Sequence, residues 1–236
     1  MARLSPLLYQ SRLILLIFAF LVSCVSSVQT RELQQGFVYL DEAIPSLRIE
    51  IRYFSNDNFV GEPIEGYLQP KAILTRKAAD ALNNVQKELA NFGLGLKVFD
   101  AYRPQRAVDH FIRWAKDPQD ERMKKEYYPG VDKRNLFTDG YIASRSGHSR
   151  GSTVDVTIIS QQTAAGEEID MGGNFDFFGK ESWSASSLPT ADQRAHRMLL
   201  KQLMEKHGFV HYPQEWWHFT LQNEPYPGTY FDFPVQ

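Results

Sequence analysis

Ser146-Gly147-His148-Ser149-Arg150-Gly151-Ser152-Thr153-Val154-Asp155-Val156-Thr157-Ile158-Ile159 is the stretch on which the fold turns. Its second half is β-branched almost throughout and reads as a buried strand. Its first half is small and turn-forming, which leaves backbone and space around His148 for a ligand. Asp155 falls inside the strand, where an ionised carboxylate is costly unless it is paired. A metal ion is one such partner; Arg150 and backbone amides are others.

Outward from this stretch the chain shows no internal repeat and no low-complexity tract. On the N-terminal side Leu74, Ala78, Ala81, Leu82, Val85 and Leu89 recur at helical spacing, and Gly93 supplies the stop. Leu94-Gly95-Leu96-Lys97-Val98-Phe99 alternates like a half-buried strand and runs into Asp100-Ala101-Tyr102-Arg103-Pro104. A second helix is predicted from Gln105 to Ala115, with Val108, Phe111, Ile112 and Ala115 inward. Pro118 and Pro129-Gly130 mark a long loop region. On the C-terminal side residues 160–188 carry Gly166, Gly172, Gly173 and Gly179 with little periodicity, and a loop of that length inside a domain is usually functional. Thr190 to Gln193 then forms a capping box for a third helix. Ala195, Met198, Leu199 and Leu203 are expected on its inner face, and Gly208 ends it. Phe209-Val210-His211-Tyr212 and Trp217-His218-Phe219-Thr220-Leu221 read as two short strands around Pro213. Helices stand apart from clustered strands, which predicts an α+β fold: one domain, a central mostly antiparallel sheet with helices packed on it, and the site in a cleft.

The chain has 236 residues, 43% of them hydrophobic and 23% charged, which excludes disordered and fibrous classes. A formal net charge of -2 without a basic stripe excludes nucleic acid as a partner. The single cysteine, Cys24, excludes an internal disulfide framework and a multi-cysteine zinc site. It closes the apolar run Leu13-Ile14-Leu15-Leu16-Ile17-Phe18-Ala19-Phe20-Leu21-Val22, which follows Arg3 and Arg12 and contains no acid. This is the pattern of a secretory signal peptide, too short for a span of about 20 residues. Leu21-Val22-Ser23-Cys24 resembles a bacterial lipoprotein cleavage box, which would lipidate Cys24; ordinary cleavage near Ser26-Ser27 would discard it. The expected division is a signal peptide over 1–24, a short tether over 25–36 and one domain over 37–236. Export would place the protein in the periplasm or cell envelope, touching membrane only through such an anchor.

Of six histidines, four have ordinary readings. His110 and His196 fall on predicted helices among charged neighbours, His207 sits in a last turn where a cation suits the dipole, and His211 is ambiguous. His148 and His218 differ, because each has a carboxylate placed to join it. Together with Asp155 they offer Zn²⁺ three protein ligands, leaving a fourth position for water as a hydrolytic site needs. Glu215-Trp216-Trp217-His218 adds a second carboxylate that could take that water's proton. Residues three apart point to opposite faces of a straight strand, so the chain must bend between Glu215 and His218. Asp176, in the Gly-bordered apolar stretch Gly173-Asn174-Phe175-Asp176-Phe177-Phe178, is either a solvated loop charge or a receptor for a cation.

The segments Asp100 to Pro104, Ser146 to Asp155 and Glu215 to His218 together resemble the signature of the D-alanyl-D-alanine dipeptidases, zinc enzymes of glycopeptide resistance and envelope metabolism. The likeness extends to Tyr127-Tyr128-Pro129, Met171-Gly172 with Phe175-Asp176-Phe177, the opening Phe37 to Glu42 and the ending Glu224 to Pro234, and so covers nearly all of 37–236. The resemblance implies one Zn²⁺ per chain held by His148, Asp155 and His218, Glu215 as catalytic base, and Arg103 steadying the oxyanion. It further implies Asp176 receiving the substrate ammonium and Ser146 near the substrate carboxylate. The family pattern allows a second serine where this chain has Gly147, a departure that bears on side-chain contact to the substrate carboxylate. The activity so implied is hydrolysis of the dipeptide D-Ala-D-Ala to two D-alanines. The rival readings are a zinc D,D-carboxypeptidase or endopeptidase acting on longer wall peptides, and a catalytically inert envelope-binding lipoprotein. Asp176 and the 160–188 loop favour the small free dipeptide over the first, and the complete catalytic set speaks against the second.

Overall fold

Every residue of the decisive strand except its last, Ser160, is buried, and the sheet is built around it. The computed structural model describes residues 33–162 and 166–236; the expectations for the leader, for Cys24 and for the tether up to residue 32 lie outside them. In chain order the described strands are β1 (Phe37–Tyr39), β2 (Arg48–Ile49), β3 (Ile73–Thr75), β4 (Leu94–Asp100), β5 (Thr153–Ser160), β6 (Phe209–His211) and β7 (His218–Leu221). The described α-helices are α1 (Leu40–Ala43), α2 (Arg76–Ala90), α3 (Gln105–Ala115), α4 (Lys124–Tyr127) and α5 (Ala191–Lys206). Five strands form one sheet in the order β2-β4-β5-β7-β6, parallel between β2 and β4 and antiparallel elsewhere. Helix α2 packs against β4, and α5 lies against β6 and α2. The α+β class and the mostly antiparallel central sheet are as the sequence predicts.

Three local readings are corrected. Leu74 is not helical: it pairs with Val38 in a separate antiparallel ribbon of β1 and β3. The helix waits for Thr75, whose hydroxyl accepts from the Ala78 amide and caps it. In α3, which spans the residues expected, Trp114 is buried while Ile112 is only partly so. In α5 the capping box forms, yet Ala195, Met198 and Leu199 are exposed and the inner face is Arg197, Leu200, Leu203 and Met204. Apolar periodicity fails there because a charged residue occupies the inward stripe. Arg197 is buried and donates to the carbonyls of Met171 (2.5 Å) and Glu181 (2.8 Å), tying the long loop to the helix.

One irregularity positions the site. Val98 faces Val156 in the β4–β5 ladder, but the next matched pair is Asp100 with Asp155, so β4 carries one extra residue at Phe99. Such a bulge re-aims the side chains beyond it. Across the next ladder Asp155 faces His218. Asp100, Asp155 and His218 therefore stand in one row across three adjacent strands.

Candidate active site

His148 enters this row from the turn before β5. Residues Gly147–Arg150 form a 3-10 turn whose first amides are capped by Ser146, its Oγ accepting from the His148 amide at 3.3 Å. Gly151 ends the turn at φ +78°, and a Cβ there would stand 2.1 Å from the Phe37 ring. Only glycine fits both demands. The His148 Nδ1 lies 2.7 Å from the Ala101 carbonyl, which can only accept, so Nδ1 carries the proton and Nε2 presents a lone pair.

Glu215 and His218 come from the bend that the spacing requires. The Glu215 amide donates to the Tyr212 carbonyl and the His218 amide to the Glu215 carbonyl, both at 3.2 Å, and β7 begins at His218. Trp216 and Trp217 are both buried and anchor the bend.

Three donor atoms now converge. His148 Nε2 lies 3.3 Å from Asp155 Oδ2 and 3.3 Å from His218 Nδ1, and His218 Nδ1 lies 3.1 Å from Asp155 Oδ1. Zinc bonds of about 2.0–2.1 Å arranged tetrahedrally place ligand atoms about 3.3 Å apart; the two ring nitrogens have that spacing, and each has one carboxylate oxygen of Asp155 beside it. Asp155 Oδ1 is buried without a hydrogen-bond partner, an acceptor left for a cation. Burial opposes ionisation of Asp155, but His148 and His218 outweigh it and hold the carboxyl below the ordinary carboxylate range. Arg150, the alternative partner for Asp155, is instead bound to Glu224 at 2.8 Å. Among the described residues the triad is a group whose ligand atoms lie close enough together to hold a metal ion.

The triad forms one wall of a cavity of about 300 Å³ that Arg103, Ser146, Asp176 and Glu215 also line. Glu215 Oε2 is 3.3 Å from His218 Nδ1, and burial pushes its carboxyl above the usual range, which suits a proton acceptor. Arg103 is clamped by Asp100, Nε at 2.9 Å and Nη2 at 2.8 Å, and its Nη2 stands 3.8 Å from Asp155 Oδ2. Asp176 is 6% exposed and sits at φ +60°, a left-handed conformation rare outside glycine, which the surroundings must impose. Burial, then the charge of Asp155, pushes its carboxyl well above the ordinary range, so it gains from a cationic neighbour.

The catalytic, metal and substrate residues read from the sequence all line this one cavity, while Cys24 lies outside the described residues. The other histidines lie outside the triad: His110 contacts Glu62, His207 contacts Glu88, His196 contacts the Asp170 carbonyl and His211 contacts Ser184. Burial pushes His211 down to about 4, in keeping with a neutral ring. Two supports were not legible. Asp100 holds Arg103 while accepting from Tyr67 at 2.6 Å, and Tyr53 donates to Asp176 Oδ2 at 2.8 Å. Asp100 belongs to a quoted motif, so its buried charge two residues before a turn was the available signal. Tyr53 lies 123 residues from Asp176 and has no local signature.

A family model described as D-ala-D-ala dipeptidase, in peptidase family M15, matches residues 33–236. A D-alanyl-D-alanine dipeptidase of Enterococcus faecalis is 44% identical over 204 residues, covering 86% of this chain and all of that protein. Those of Streptomyces coelicolor and Enterococcus faecium are 43% and 40% identical, over 84% and 85% of this chain and 98% of each relative. Among solved structures, a zinc-bound vancomycin-resistance D,D-pentapeptidase aligns at 15% identity with a TM-score of 0.40, covering 66% of this chain and 77% of that one.

Proposed function

The chain belongs to the D-ala-D-ala dipeptidase family and is a zinc metallopeptidase that hydrolyses D-Ala-D-Ala; on that premise we propose the roles of its residues and its place in the cell. The observation that carries the reading is the convergence of His148, Asp155 and His218, with Glu215 beside His218. His148, Asp155 and His218 would hold the zinc, which would supply Lewis acidity toward the scissile carbonyl and lower the pKa of water toward about 7.

Glu215 takes the proton of the attacking water and returns it to the departing amine. Arg103, already aligned by Asp100, stabilises the oxygen that becomes negative as the carbonyl carbon turns tetrahedral. Loss of one such donor typically costs about 3–4 kcal/mol in the transition state. Asp176 receives the free ammonium. Its Oδ2 is occupied by the Tyr53 hydroxyl, which orients the carboxylate and leaves Oδ1 toward the ligand. Ser146 lines the cavity beside His148 and is assigned to the substrate's carboxylate end. A side chain does not fit at Gly147 unless its neighbours shift. A Cβ at Gly147 would lie 2.8 Å from Thr153 Oγ1, itself held 2.9 Å from Thr220 Oγ1.

The test uses the charge on the substrate's amino end. A charge-assisted contact of about 1.5–3 kcal/mol is worth roughly 10- to 150-fold in binding. Free D-Ala-D-Ala is therefore expected to be cleaved at least about 10-fold better than N-acetyl-D-Ala-D-Ala, and Asp176→Ala to narrow that gap by harming the free dipeptide. Equal or better cleavage of the acetylated compound by the wild-type enzyme favours the carboxypeptidase reading. A gap preserved in Asp176→Ala assigns the ammonium to another group.

Export is supported by Arg3 and Arg12 ahead of the apolar run 13–22, and lipidation by Leu21-Val22-Ser23-Cys24. In the envelope the dipeptide would come from wall turnover or salvage, since precursor synthesis is cytoplasmic. Labelled palmitate is expected to enter the wild-type precursor and not Cys24→Ser, with both exported. An unlabelled, soluble wild-type product leaves ordinary secretion.

A further inference from the structure

Among the described residues two arginines line the active-site cavity, and their charges are in opposite situations. The charge of Arg103 is committed to Asp100. Arg145 makes no ion pair among the described residues; its guanidinium lies 4.8 Å from the centroid of the Tyr230 ring. A ring contact orients a cation without neutralising it. Arg150 reaches the same ring at 5.8 Å, but its charge is committed to Glu224, with Nε 2.8 and 3.0 Å from the two carboxylate oxygens. Arg145 is thus the uncommitted cation of a cavity whose carboxylates are Asp155, Asp176 and Glu215.

A free dipeptide brings a carboxylate into this cavity as well as an ammonium. The three acids repel it, and the wall beside Arg145 offers little else. The hydroxyl of Ser146 caps the His148 turn, and Gly147 has no side chain and no room for one. We propose that Arg145 is the receptor for the substrate's C-terminal carboxylate, and thereby restricts cleavage to peptides that end one residue beyond the scissile bond. The assignment rests on the dipeptidase reading above and adds to it the residue that selects the substrate's carboxyl end. The Tyr230 ring holds the guanidinium at the cavity rim, so a planar, two-pronged donor is presented in advance of binding.

The experiment compares D-Ala-D-Ala with D-Ala-D-alaninamide, which lacks the negative charge, in the wild-type enzyme, Arg145→Gln and Arg145→Lys. The wild-type enzyme is expected to favour the free acid. Arg145→Gln should raise KM for the free acid about 10-fold with little change in kcat, and leave KM for the amide nearly unmoved. Arg145→Lys, which keeps the charge but not the fork, should fall between them. A general loss of structure would harm both substrates alike, so the ratio isolates recognition. An unchanged acid-to-amide ratio in Arg145→Gln, with an active wild-type enzyme, overturns the assignment alone. A wild-type enzyme inactive on D-Ala-D-Ala overturns the dipeptidase reading and this assignment together.

Discussion

His148→Ala, Asp155→Ala and His218→Ala should each reduce bound zinc from about one per chain to a small fraction, and activity with it. The two ring nitrogens stand 3.3 Å apart, with Asp155 Oδ2 3.3 Å from one and Oδ1 3.1 Å from the other, so the three side chains share one site and none can stand in for another. Asp155 has the largest predicted effect. It is the one anionic ligand, and it faces both histidines and, at 3.8 Å, Arg103. Removing it takes away the charge that offsets the ion as well as a bond. Asp155→Asn separates the two, because it keeps shape and hydrogen-bonding capacity but not charge; it too should bind zinc poorly. Metal content after dialysis, read beside the far-ultraviolet circular dichroism of each variant, checks this. Asp155 and His218 are paired by backbone hydrogen bonds of the β5–β7 ladder, which these substitutions leave in place, so the spectra should be preserved. Full zinc and activity in any one variant would remove that residue from the ligand set.

Glu215→Gln should keep its zinc and lose turnover by about 100- to 10,000-fold. That range is the usual worth of a positioned proton acceptor. The amide has the shape of the carboxylate and can remain beside His218, so the triad is undisturbed. It cannot take a proton at any accessible pH. The contrast with the ligand variants is the informative part: there metal and activity fall together, here activity falls alone. Zinc content and kcat on D-Ala-D-Ala, measured on the same preparation, check it. A variant that works near the wild-type rate would assign the base to another group.

Much of the site was legible because its chemistry uses residue types with few alternative explanations. Asp155 in a β-branched strand, His148 among turn residues, and Glu215 spaced from His218 by two indoles each conflict with the local pattern, and such conflicts collect at functional sites. The family resemblance then gave roles to Arg103, Asp176 and Ser146 that no spacing could. Less was legible where a charged residue behaves as core. Arg197 displaced the expected face of α5, since hydrophobic periodicity assigns arginine to solvent, whereas this side chain is buried by the carbonyls of a loop more than ten residues away.

The sequence by itself determined the α+β class, the strand that carries Asp155, the helix over 105–115, the capping box of α5 and the need for a bend before His218. These follow from local periodicity, turn chemistry and residue type, which act over a few neighbours. Only the tertiary structure decided that Asp100, Asp155 and His218 form one row, because that depends on a bulge at Phe99 and on the pairing of strands remote in sequence. It alone joined Tyr53 to Asp176, committed Arg150 to Glu224 and left Arg145 facing the cavity uncommitted. Which charge partners which is a matter of distances across the fold, and chain separation carries no trace of them.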